Sequence, residues 1–153
     1  MFTNRHVIIA MIVAPVLAII AWFAIGELVR ERAAPAQPGM SYPLVPRSNC
    51  RYASGLCDLE NEDLRVSLRF DTSLGPAMEL RASHALDSVL LAVSQAGAQA
   101  TPQAMRAQDG AGRLWRLQLS GQPGVDDRLQ LVATAAGSRY FAEATTHFLQ
   151  VEK

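Results

Sequence analysis

Cys50 and Cys57, in the stretch NCRYASGLCD, are the only cysteines of the chain and lie seven positions apart. Thiols at that spacing admit three chemistries: a disulfide, a redox pair, or half of a metal site. Between them, Ser54-Gly55 is a turn signal that lets the two side chains meet across a tight reversal. A redox pair takes C-x-x-C at a helix start, which neither the spacing nor the context supplies. A metal site takes two more ligands, and the downstream imidazoles, His84 and His147, are distant in sequence. The pattern predicts a structural disulfide in an oxidising compartment. The alternative is a copper-delivery site built on the same two sulfurs, joined by a histidine or methionine.

Other reactive types are sparse. His84 and Asp87 lie close together with Ser83 and Ser88 beside them, the ingredients of a proton relay. Neighbours on one loop rarely reach relay geometry, so a polar cluster at a strand end is the expectation. The chain has no G-x-S-x-G, no H-E-x-x-H and no glycine-rich phosphate loop. Met78 and Met105 carry thioethers that suit Cu(I), but Met78 falls on a core-facing position and His147 on a polar one. No catalytic residue, metal ligand or cofactor is assigned, and a non-enzymatic role is expected. Fourteen Lys plus Arg balance fourteen Asp plus Glu, so no strong field draws the chain to nucleic acid.

The elements that position these groups alternate at period two. LRVSLRF puts Leu64, Val66, Leu68 and Phe70 on one face, and MELRASH puts Met78, Leu80 and Ala82 on one face. LWRLQL and RLQLVAT repeat the pattern, and YFAEATTHFLQV carries it from Tyr140 through Phe148. SVLLAV, 88–93, is apolar on both faces and reads as a central strand; a helix over ASHALDSVLLAVSQAG is the alternative. DGAG at 109–112 and AAGS at 135–138 are hairpin signals, and SLGP at 73–76 and GQPG at 121–124 are loop breakers. Six or seven short strands predict an all-β antiparallel sandwich over 48–153.

Upstream, VIIAMIVAPVLAIIAWFAIG contains twenty uncharged residues, roughly 30 Å of helix and about one bilayer's hydrocarbon. It is too long for a signal-peptide core, and no small-residue cleavage site follows closely. The layout is therefore a tail over 1–6, a transmembrane helix over 7–28 that contacts lipid, a Pro-rich spacer over 29–47, and the sandwich. The Pro-rich run at 33–46 is expected to resist helix and ladder alike. Arg5 against Arg30 and Arg32 leaves orientation undecided by charge. The cysteine pair favours an outward C-terminal domain.

On the strand faces that point outward, Arg65, Arg69, Arg81 and Arg116 form a candidate basic surface, with Glu79 and Glu143 available for cross-strand pairing. Leu90 and Phe141 are apolar at outward positions and mark a candidate partner surface. From 64 to 151 the chain resembles the extracytoplasmic domains of the FixH/YtkA-like group, through MRAQDGAGRLWRLQLSGQPG running into RLQLVATAAGSRYFAEATTHFLQV. The tryptophan expected after the glycine-containing loop is replaced by GVDDRLQL, and Trp115 stands a strand earlier. The resemblance implies a single-pass anchor in a bacterial inner membrane and a periplasmic, immunoglobulin-like sandwich. It also implies an accessory role toward a membrane protein complex, in respiratory oxidase maturation or copper handling.

Overall fold

The computed structural model describes residues 4–29, 36–61, 63–95 and 98–150. The tail at 1–3 and the spacer residues 30–35 lie outside them, as do 62, 96–97 and 151–153. The chain forms two compact units.

The first is one helix, α1 (Arg5–Val29). From Ile8 to Ile25 every side chain is exposed, and none carries a charge, so the helix is apolar all round rather than on one stripe. Those eighteen residues rise about 27 Å, enough to cross a bilayer's hydrocarbon. Pro15 lies inside the helix. It removes one backbone donor, a loss that lipid-embedded helices tolerate.

The second unit is β. Its strands are β1 (Ser41–Pro43), β2 (Val45–Pro46), β3 (Leu56–Glu60), β4 (Arg65–Asp71), β5 (Ala77–Ala82) and β6 (Ser88–Ser94). They continue with β7 (Gln103–Ala104), β8 (Arg106–Ala107), β9 (Leu114–Gln118), β10 (Arg128–Ala135) and β11 (Ser138–Thr145). One sheet runs β1-β11-β10-β6-β7 and the other β2-β3-β4-β5-β9-β8. All neighbours are antiparallel except β1 and β11.

Alternation explains the packing. Val66, Leu68, Met78, Leu80 and Trp115 from the six-stranded sheet share one buried cluster with Val89, Leu91, Leu129, Leu131 and Tyr140 from the five-stranded sheet. Alternate residues of each long strand enter that cluster or pack against it, which is what period two dictates when one face meets a core. The β10–β11 hairpin turns on Ala136 and Gly137, both at positive φ (48° and 80°), the conformation of a two-residue primed turn. Ser88–Ser94 is a strand between β10 and β7, so the helical alternative for that stretch does not form.

The Pro-rich stretch is more structured than its composition predicts. Within 29–47, β1 pairs with β11 and β2 with β3, so laddering begins before residue 48. Proline is compatible here because both strands are sheet edges, where one side of the backbone needs no partner. Between them Leu44 is buried, and its N–H donates to the Phe141 carbonyl at 2.8 Å. The chain changes sheets at Leu44. It does so again at Met105, which is buried between β7 and β8 and donates its N–H to Val89. These two crossings supply all four sheet edges, each a strand of two or three residues. Short edges limit unwanted pairing.

The last strand is also shorter than the alternation suggests. It stops at Thr145, and His147–Leu149 forms a 3₁₀ turn that buries Phe148 and Leu149. Thr146, fully buried, donates its hydroxyl into the loop between β9 and β10, 3.0 Å from the Asp127 carbonyl. Replacing Thr146→Val keeps the shape and removes the hydroxyl donor that the Asp127 carbonyl accepts. This should cost about 1–3 kcal/mol in denaturant unfolding of the detergent-solubilised chain.

Candidate functional site

The cysteines are joined. Cys50 lies in a 3₁₀ turn (Ser48–Arg51), Cys57 in β3, and both are buried in the core. Asn49 fixes the turn: its Nδ2 donates to Asp58 Oδ2 at 2.9 Å, while its Oδ1 accepts the Asp58 N–H at 3.2 Å. Gly55, at φ 72°, completes the reversal and donates its N–H to the Phe148 carbonyl at 2.7 Å. Disulfide sulfurs carry no thiolate to offer a metal. Among the described residues no three His, Cys, Asp or Glu side chains group as a metal set.

The relay residues do not assemble. Ser83 Oγ lies 2.9 Å from His84 Nδ1 and accepts the Arg65 N–H at 3.0 Å, which ties it to β4. Ser83, His84, Asp87 and Ser88 are all exposed, and Asp87 bonds through its backbone N–H to the Thr134 carbonyl. His147 is exposed on its turn, whereas Met78 and Met105 are core residues.

The four arginines share the outer face of the six-stranded sheet, but carboxylates divide them. The register places Glu60 opposite Arg65, and Glu79 between Arg69 and Arg116. Arg65 pairs with Glu60 at 3.2 Å and Arg81 with Glu79 at 3.0 Å. Arg116 reaches Asp71 at 2.7 Å, a half-buried pair. Asp71 is held down from an ordinary 3.8 to about 2, first by the Ser73 backbone N–H, then by the Ser73 hydroxyl, then by Arg116. The surface is a lattice of opposite charges more than a basic patch.

The outer face of the five-stranded sheet is different. Leu90 lies opposite Val132, Val132 opposite Phe141 and Phe141 opposite Pro43, so one register row of apolar side chains crosses four strands. Leu90 is 40% exposed, Val132 37% and Phe141 48%, so nothing among the described residues of this unit covers them. The flanking rows are polar: Arg139, Thr134 and Ser88 on one side, Glu143 and Gln130 on the other. A shallow groove of about 360 Å³ runs beside Phe141 and Val132, with Pro43 and Leu44 along it. Leu90 and Phe141 are legible from sequence as outward apolar residues. Val132 is not, because only the strand register shows that it bridges them.

No family model, curated protein or solved structure matches the chain.

Two outcomes follow from this geometry. Reducing the Cys50–Cys57 bond frees a short loop, so unfolding in reductant should show a loss of about 2–3 kcal/mol against the oxidised protein. A lowered carboxylate pKa stabilises above its unfolded value, and that contribution is lost as pH falls toward the folded one. Asp71→Asn should therefore be less stable than the native chain at neutral pH. The gap should close as pH falls from 3.8 to about 2, measured by thermal midpoints of both proteins.

Proposed function

We propose that this chain is a single-pass, non-enzymatic accessory protein of a bacterial inner membrane. In this reading α1 lies in the bilayer and the β unit is periplasmic. The β unit docks on a membrane protein complex through the Pro43–Phe141–Val132–Leu90 row, with respiratory oxidase assembly as the fitting process. The single observation that carries the reading is that row. Apolar side chains in register on a solvated sheet face cost free energy unless something covers them, and contiguous patches of this kind mark contact sites.

Supporting observations come from the fold. The order β4-β5-β9-β8 facing β11-β10-β6 follows the A-B-E-D and G-F-C arrangement of immunoglobulin-like sandwiches, with β7 as an added strand beside β6. This order supports the FixH/YtkA-like resemblance at the level of architecture. A buried disulfide suits an oxidising compartment, and the uncharged Ile8–Ile25 stretch of α1 suits lipid. The outward arginines are spent largely on neighbouring carboxylates, which leaves the apolar row as the better contact face.

Photo-crosslinking residues placed at Leu90 and Phe141, in membranes carrying the native level of the protein, should give discrete adducts. The same probe at Arg69, on the opposite sheet, should give none. Adducts of equal yield from both faces, or none from Leu90 and Phe141, would defeat the assignment. The substitutions Phe141→Ser and Leu90→Ser should abolish the adducts formed from a probe at Val132. They should shift folding stability by no more than about 0.5 kcal/mol, as expected for exposed positions.

A further inference from the structure

The crossing at Met105 leaves a fork in the fold. β7 pairs with β6 in one sheet, while β8 pairs with β9 in the other only through Arg106↔Arg116 and Ala107↔Trp115. β9 continues to Gln118 after the opposite strand has left for the other sheet. A cleft of about 460 Å³ opens there, lined by Arg106 and Arg116 and by Gln103, Gln108 and Gln118, and the Gln108 amide nitrogen donates to the Arg106 carbonyl at 3.2 Å.

The charges in this fork are unusual. Arg106 and Arg116 stand directly opposite each other, and like charges in that position repel. Asp71 answers only one of them, through Arg116 Nη1. The other terminal nitrogen, Arg116 Nη2, is buried and has no hydrogen-bond partner among the described residues. A buried donor left unmade is costly, and more so when charged. Arg106 is exposed, and no carboxylate among the described residues lies within ion-pair distance of it. Asp71 pairs with Arg116, and Glu79 stands across from Arg116 on β5 while pairing with Arg81, so Arg106 is the guanidinium of the fork that keeps its charge and donors unanswered among the described residues.

We propose that the fork binds an oxyanion, a carboxylate or a phosphate, held between Arg106 and Arg116. Guanidinium forks match paired oxygens, and the glutamines along the cleft carry no charge that would repel the anion. An anion there relieves the cross-strand repulsion and meets the exposed donors of Arg106, while the buried Arg116 Nη2 reaches it only through a change of rotamer. The cleft admits a whole carboxylate or phosphoryl group and is open enough for the rest of a larger molecule to remain outside.

The test uses the full chain in a neutral detergent, titrated at constant ionic strength with inorganic phosphate or with acetate against sodium chloride. The Nε–H resonances of Arg106 and Arg116 should shift saturably with at least one of the two probes. A response to phosphate alone assigns a phosphoryl ligand, to acetate alone a carboxylate, and to both a general oxyanion site. Arg106→Gln should weaken the response at least tenfold, Arg106→Lys should weaken it less, and Arg69→Gln, on the same face outside the fork, should leave it unchanged. Shifts no larger than those from chloride, shifts that never saturate, or full retention in Arg106→Gln would overturn the site. Should Arg106→Gln fail to fold, the titration of the native chain still decides.

Discussion

Leu68, Leu80 and Trp115 from one sheet and Leu91, Leu131 and Tyr140 from the other occupy a single buried cluster, and removing them from water drives the β unit to fold. That burial fixes register, because slipping any strand by one residue would turn its apolar set outward. Once register is fixed, each residue on an outer face has a set neighbour. Val132 faces both Leu90 and Phe141 because Leu131 must point inward between Leu91 and Ala142. The arginine–carboxylate lattice on the other sheet arises in the same way. The outer surfaces, where any contact with other molecules must occur, are consequences of the inner packing.

The same core explains how the unit treats its flanks. Leu44 and Met105 are single buried residues placed between very short strands, and each carries the chain from the five-stranded sheet to the six-stranded one. Burying one side chain at each crossing ties the two layers together along both open sides. The disulfide lies close to the first crossing and joins the turn that follows β2 to β3, within the six-stranded sheet. At the Leu44 side the strands are closed with proline. At the Met105 side they diverge and leave a cleft.

The long strands were legible because period two persists over five or more residues, as in Arg65–Asp71 and Arg128–Ala135, and because glycine turns separate them. The cysteine bridge was legible from its turn. The short edge strands were not. Two or three residues cannot display a period, and the prolines at 43 and 46 argue against pairing until their edge positions are known. Thr146 and His147 continued an alternation that looked like strand, while the backbone had already turned into a 3₁₀ segment. The apolar row was half visible, through Leu90 and Phe141, and the fork at Arg106 was not visible at all. Both depend on which strand lies beside which, and local pattern carries no such information.

A row of four apolar residues covers far less than the roughly 800 Å² per partner of a standard protein interface. In free solution so small a patch, ringed by Arg139, Thr134, Gln130 and Glu143, would give weak and short-lived contacts. Tethering changes that balance. A domain held to a bilayer by a helix and a short spacer meets membrane partners at an effective concentration in the millimolar range, so a second contact needs little intrinsic affinity. In the proposed reading, a small apolar row on a polar face then suffices for the contact. The size of the patch fits the proposed anchor, and a chain without α1 would need a larger one to do the same work.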